Sequence, residues 1–313
     1  MAKLVYGPVP SRRLGRSLGV DLVPYKVCTY DCVYCQLGPT RGTTVERKPY
    51  VDESTLLDQI EAKLLQDVRA DYITLAGSGE PTLNSHIGSV IAAIKRRTQV
   101  PVAVLTNGSL LADGQVRASL LHADVVLPSL DAHDPKGFQA INRPHGAITF
   151  EAMTGGLIAF RKEYTGKIWL EIFLVPTMND SEEDAAGFRK WVDAMNPDKV
   201  HLNTAVRPAA ESWVRQVSGQ VLDRFCEILG PRAEVIVPFR GSGQGRGKDD
   251  LAQDILSILA RRPCTLEDIC SGLGVPANEA IKQLEALVQG GFLETMNRGP
   301  ALFYRPRKAP VAR

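Results

Sequence analysis

Three cysteines stand as C-x3-C-x2-C in the stretch Val27-Cys-Thr-Tyr-Asp-Cys-Val-Tyr-Cys-Gln36, at Cys28, Cys32 and Cys35. Thiolates are soft ligands for zinc and for iron–sulfur clusters. Three is one fewer than a closed tetrahedral zinc site or a fully protein-ligated four-iron cluster requires. A four-iron cluster held this way keeps one iron open to a further ligand. Cys226, Cys264 and Cys270 are scattered, and the last two read as small buried apolar residues rather than ligands of a second cluster. Clustered cysteines in an otherwise ordinary chain point to metal ligation in a reducing compartment rather than to disulfides.

An open iron is the geometry that binds the amino and carboxylate groups of S-adenosylmethionine (SAM) and delivers an electron to its sulfonium. Tyr34, just before the third cysteine, completes C-x3-C-x-aromatic-C. On these residues the chain resembles the radical SAM superfamily over roughly residues 15–240. The resemblance implies a 4Fe-4S cluster on Cys28, Cys32 and Cys35, SAM with its adenine near Tyr34, and a flavodoxin or ferredoxin type electron donor. The opening Tyr6-Gly-Pro-Val-Pro-Ser-Arg-Arg-Leu-Gly-Arg-Ser-Leu-Gly-Val-Asp21 is similar to a group of iron–sulfur oxidoreductases related to wyosine-base synthases. Those synthases carry a second upstream cysteine cluster, which has no obvious counterpart here.

The elements that must position these residues alternate. Strand-like runs fall at Leu18–Val23, Tyr72–Ala76, Val102–Thr106, Asp124–Leu130, Lys167–Val175, Lys199–Asn203 and Glu234–Val237. Helical spacing appears at Glu53–Ala70, Ser85–Arg97, Asp113–Leu121, Phe150–Tyr164, Ser181–Met195 and Gly219–Leu229. Short apolar strands between helices predict a parallel sheet covered on both faces. Six βα units are too few for an eight-fold barrel and match the partial (βα)6 barrel that the resemblance implies.

Sites in such folds gather at the carboxyl ends of the strands. Ala76-Gly-Ser-Gly-Glu-Pro-Thr82 resembles the superfamily's glycine-glycine-glutamate-proline motif, with Ser78 for the second glycine or with Gly77 and Gly79 straddling it. That resemblance assigns Gly77, Ser78, Gly79, Glu80 and Pro81 to SAM, and extends to Thr106, Asn107, Ser129, Asp131 and Asn179 at later strand ends. Glu171, His201, Asn203 and Arg207 are further polar candidates, and no residue is assigned to catalysis. Ser11-Arg-Arg-Leu-Gly-Arg16 places three guanidiniums within five residues, a pattern suited to anions, and Asn142-Arg-Pro-His145 adds a second cationic candidate.

Beyond a Gly-rich linker (241–248), residues 249–305 read as three helices and a hairpin, a winged helix, followed by a basic tail (306–313). Thr265-Leu-Glu-Asp268 resembles a capping box, and Glu279 and Glu285 make the third helix a poor phosphate-facing surface. This unit is expected to dock RNA or a protein and to be separable, with residues 1–247 sufficient for cluster and SAM.

The expected function is radical modification of an RNA base or other macromolecule. A glycyl-radical activase, a small-metabolite enzyme and a cluster-bearing DNA-binding redox regulator are the alternatives. The SAM-type motifs beyond the cysteines favour an enzyme over a sensor. The chain has 313 residues, 37 Lys+Arg and 35 Asp+Glu, so its net charge of +2 leaves any nucleic-acid footprint to local patches. No apolar run reaches the roughly 18 residues of a membrane span, and the first residues lack a secretory apolar region. The expected location is the cytoplasm.

Overall fold

The computed structural model describes residues 3–66, 69–236 and 248–307. An eight-stranded sheet runs in strand order β1 to β8. Its strands are β1 (Val5–Ser11), β2 (Gly15–Asp21), β3 (Tyr72–Ala76), β4 (Val102–Thr106), β5 (Val125–Pro128), β6 (Lys167–Leu174), β7 (Lys199–Thr204) and β8 (Ala233–Val235). β1 and β2 are antiparallel, and every pairing from β2 to β8 is parallel. Among the described residues no pairing joins β8 back to β1, so the sheet remains open.

Helices α1 (Glu53–Leu64), α2 (Ile87–Arg97), α3 (Gly114–Leu120), α5 (Phe150–Glu163), α6 (Glu182–Met195) and α7 (Gly219–Leu229) complete six βα units, with the shorter α4 (Pro135–Asn142) preceding α5. The period-two alternation of a strand divides its side chains between two layers. Val102, Val104, Ile168 and Leu170 join the core beneath the helices. Ala103, Leu105, Val125, Leu127 and Trp169 line the concave side, where Leu14 of the β1–β2 turn fills the interior. That plug brings the neighbouring arginines into the mouth of the open barrel.

Sequence periodicity locates most elements and misplaces some ends. The helix expected over Glu53–Ala70 stops at Leu64, and part of its expected tail lies outside the described residues. The last strand ends at Val235, and the expected Val237 and Gly-rich linker lie largely outside the described residues, as does most of the basic tail. Neither β1 nor α4 was expected.

The C-terminal residues form α8 (Lys248–Leu259), α9 (Leu266–Leu273), α10 (Ala277–Gln289) and the antiparallel hairpin β9 (Leu293–Arg298) and β10 (Ala301–Pro306). Leu251, Ile255, Ile258, Ile269, Leu284 and Leu293 close an apolar cluster there, and Cys264 is buried within it. The Thr265–Asp268 capping box is formed. This unit is bound to the barrel by polar contacts. Arg261 bonds Asp21, Arg207 bonds Asp268 at 2.7 Å, and Arg298 donates to the carbonyls of Arg207 and Val214.

Candidate active site

The cysteines occupy the irregular segment between β2 and α1, held in place by its neighbours. Lys26 N–H donates to the Ser78 carbonyl at 2.6 Å and Glu80 N–H to the Val27 carbonyl at 3.0 Å. The 77–80 loop thus lies against the backbone leading into Cys28. Two glycines permit this approach. A Cβ on Gly79 would stand 1.9 Å from the Val27 carbonyl oxygen, and one on Gly77, at φ +107°, 1.7 Å from Asp21 Oδ1.

Each cysteine sulfur receives an N–H donor from a different direction. Lys26 Nζ lies 3.2 Å from Cys35 Sγ, Asn142 Nδ2 3.4 Å from Cys32 Sγ, and Asn107 Nδ2 3.7 Å from Cys28 Sγ. Burial pushes the Cys28 thiol up to about 12, with Glu80 adding to it, and pushes Cys32 well above its ordinary range. Without a metal these are inert thiols, whereas coordination deprotonates a thiol outright. Among the described residues no three His, Cys, Asp or Glu side chains converge on a single ion. A four-iron cube spreads its ligands over separate corners, so wider-set thiols with N–H donors behind them fit a cluster better than one ion.

The expected SAM residues separate into two groups. Tyr34 and Gly77 line a cavity of about 310 Å3 together with Cys35. Tyr34 stacks on Phe173 with ring centroids 4.0 Å apart, and its hydroxyl donates to Asp131. The remaining residues form the scaffold behind that wall. Glu80 is 2% exposed, and its carboxylate accepts from Thr82 N–H and hydroxyl, the Thr106 hydroxyl and Asn107 N–H at 2.6–3.0 Å. Burial raises its pKa, and those four bonds oppose the rise. Pro81 opens a short turn that Glu80 caps.

Asp131 takes bonds from Tyr34, from Asn142 at 2.8 Å and from Phe173 N–H at 3.0 Å. Asn179 bridges the carbonyls of Asp131 and Phe173 and accepts from Val175 N–H. Ser129 donates its N–H to Thr106 and bridges to Glu171 in the sheet. Ser78 bonds Asp21 through both N–H and hydroxyl at 3.1 Å.

The two arginine motifs are not kept together. Arg16 turns outward to Asp71, while Arg12 and Arg13 enter the cavity and Arg13 pairs with Glu171. Arg143 forms a part-exposed pair with Glu211. His201 is buried beside Trp169, and burial together with Arg13 lowers it to about 4, so it is neutral near pH 7. Asn203 and Arg207 line the cavity.

Sequence reasoning missed Lys26, Asn142 and Asp21 as partners of this site. Asn142 ends α4, and Asp134-Pro135 at its start is the local signal that could have found this helix. The Asp134 side chain caps Gly137 N–H and Pro135 takes the first turn. Arg261 and Arg262 had no local signal, because they lie about 240 residues from Asp21 and reach the cavity from the end of α8.

Residues 22–188 match the family model of the radical SAM superfamily. A GTPase Obg of Brachyspira hyodysenteriae is 37% identical over 292 residues, 92% of this chain, which spans only 43% of that protein. A UPF0026 protein of Methanocaldococcus jannaschii is 32% identical over 308 residues, 96% of this chain and 95% of its own length. In fold, the chain resembles a radical SAM methyltransferase from Sphaerobacter thermophilus, with a TM-score of 0.53 at 16% identity, covering 70% of this chain and 65% of that one.

Proposed function

The chain belongs to the radical SAM superfamily, and from that premise we propose that it modifies an RNA base or other macromolecular substrate by a radical mechanism. Enzymes of this superfamily bind a 4Fe-4S cluster and SAM; the cluster supplies the electron that cleaves SAM to methionine and a 5′-deoxyadenosyl radical. Here Cys28, Cys32 and Cys35 would hold it. The observation that carries the reading is the set of three thiols, each backed by an N–H donor from Lys26, Asn107 or Asn142.

The chain's own residues orient the reactants. Tyr34, fixed between Phe173 and Asp131, offers a rigid aromatic wall beside Cys35. Glu80 ties the loops after β3 and β4 together, so the cysteine loop and the 106–107 loop hold a constant spacing. Substrate enters along the cavity that Cys35 lines. A flavodoxin or ferredoxin type protein is the proposed electron donor. No helix among the described residues is long and apolar enough to cross a membrane, in keeping with the proposed cytoplasmic setting.

For the macromolecular reading, the support is the C-terminal unit, whose three helices and hairpin we read as a winged helix placed beside the cavity. A second reading, a small-metabolite radical enzyme, draws on the cavity itself. About 310 Å3 is the low end for a small-molecule site.

Anaerobic reconstitution tests the core of the proposal. The parent should take up about four iron per chain, and with SAM and dithionite it should release methionine and 5′-deoxyadenosine, read by chromatography. Cys28→Ala, Cys32→Ala and Cys35→Ala should each abolish both. Full iron content in the triple variant, or methylthioadenosine as the sole product, would defeat the reading.

A further inference from the structure

Five guanidiniums line the same cavity as the third cysteine. Arg12 and Arg13 come from the β1–β2 turn, Arg207 from the loop after β7, and Arg261 and Arg262 from beyond α8. Arg13 faces Glu171, Arg207 faces Asp268 and Arg261 faces Asp21, and Arg262 has a partner of its own. Among the described residues Arg12 has no carboxylate within hydrogen-bonding distance. Arg207 is 6% exposed, and among the described residues its Nε–H has no acceptor.

Such an arrangement is costly unless an anion completes it. Burial, Arg207 and Arg262 together hold Arg12 down to about 10, and burial with Arg12 and Arg262 holds Arg13 at about 9. Like charges gathered in a part-buried space repel and lose hydration. Guanidinium forks approaching from several directions match the oxygens of a tetrahedral phosphate better than a single carboxylate, and they bind it bidentately. The same cavity has Tyr34, Gly77 and Cys35 on its lining, so an anion held by the arginines leaves the rest of its molecule beside the cysteine loop.

We propose that this cavity is a phosphate-binding site for the substrate, with Arg12 and the open Nε edge of Arg207 as its principal donors. The inference rests on the radical SAM reading of the same cavity and adds the class of substrate, a phosphate-bearing one. A free phosphorylated metabolite and the backbone of an RNA share that chemistry.

Pyrophosphate is the probe, titrated calorimetrically into the full-length reconstituted protein without SAM. Arg12→Gln should weaken binding at least tenfold and Arg12→Lys less. Arg207→Lys keeps a charge for Asp268 but removes the Nε–H. It should also weaken binding several-fold, and it serves where the Arg12 variants do not fold. Arg189→Gln, on the outer face of α6, should bind like the parent. Displacement of pyrophosphate by a nucleoside 5′-monophosphate alone identifies a small phosphorylated substrate. Displacement by a short RNA lacking terminal phosphates identifies the backbone. Either result upholds the site.

Equal binding by parent and Arg12→Gln would overturn it. So would mutual exclusion of pyrophosphate and SAM, because the arginines would then serve the SAM carboxylate. Uncoupled SAM cleavage by the parent is measured in parallel. Intact pyrophosphate binding without any 5′-deoxyadenosine refutes the radical reading and leaves the phosphate site standing. The opposite pair of results refutes the phosphate site alone.

Discussion

Replacing Arg261 with methionine tests whether the C-terminal helices hold the loop beside the cysteines. Arg261 Nε and Nη2 donate to Asp21 Oδ2 at 3.0 and 2.7 Å, and the guanidinium lies 3.7 Å over the Tyr6 ring. Asp21 in turn anchors Ser78. The two side chains are only 13% and 8% exposed. Removing one partner of a buried pair costs about 3–5 kcal/mol, because the other charge stays behind unpaired. Methionine retains the apolar stem, so most of that loss is electrostatic. At about 2–4 °C per kcal/mol, the thermal midpoint should fall by roughly 10 °C.

The pH dependence of that loss follows from Asp21. Burial raises its pKa in the folded protein, outweighing Arg261 and Ser78, which lower it. A carboxyl whose folded pKa is raised contributes stability that is fully present below its unfolded value, about 3.9. The contribution is lost as pH rises through the folded value. Without Arg261 the folded value climbs further. The deficit of Arg261→Met against the parent should therefore be smallest near pH 5 and largest near pH 8. Asp21→Asn in the Arg261→Met background removes the stranded charge and should recover stability at pH 8. Thermal melts of the three proteins at both pH values decide it. A deficit under about 1 kcal/mol, equal at both pH values, would show that the contact carries no load.

Two further substitutions probe the cysteine loop. Gly79→Ala places a methyl 1.9 Å from the Val27 carbonyl, so the loop must shift, and iron content after reconstitution should fall by at least half. Gly155→Ala, in α5 with nothing within 4 Å, should retain iron and gain up to about 1 kcal/mol in a urea melt. Asn142→Leu removes the amide that faces Cys32 Sγ. With one N–H fewer on the sulfurs, the cluster potential should drop by about 50 mV in an EPR-monitored titration. An unchanged potential in a folded variant would count against a tuning role.

What could be read in the sequence was short-range. The alternation of strands and helices is a local pattern, and it gives β3 at Tyr72–Ala76, β4 at Val102–Thr106 and α7 at Gly219–Leu229 with the observed bounds. β1 escapes because Gly7, Pro8 and Pro10 break its pattern, and such a segment survives in a sheet only at an edge, where β1 lies. Glu171 is legible in the sequence only as a polar residue within an apolar strand. Its orientation depends on Arg13, which a turn near the amino terminus delivers from far along the chain. Asn142 was legible as a polar loop residue, but its contact with Cys32 depends on α4 ending beside the cysteine loop. Residue type and spacing announced the ligands, whereas tertiary contacts supply their partners.

The expectation of a separable C-terminal unit meets the strongest physical objection. Its own apolar cluster is closed, which favours independence. Its polar contacts argue the other way. Arg207 and Asp21 belong to the barrel, are 6% exposed each, and find their opposite charges on Asp268 and Arg261 of the C-terminal unit. A chain ending near Gly247 would leave both barrel charges without those partners, one of them bonded to Ser78 in the loop that supports the cysteines. It would also remove Ile258, Arg261 and Arg262 from the cavity lining. A docking module attached by a linker has no reason to complete buried ion pairs inside the barrel. A unit that forms one wall of the reaction cavity does, because substrate binding and the order of the 77–80 loop then depend on the same arginine.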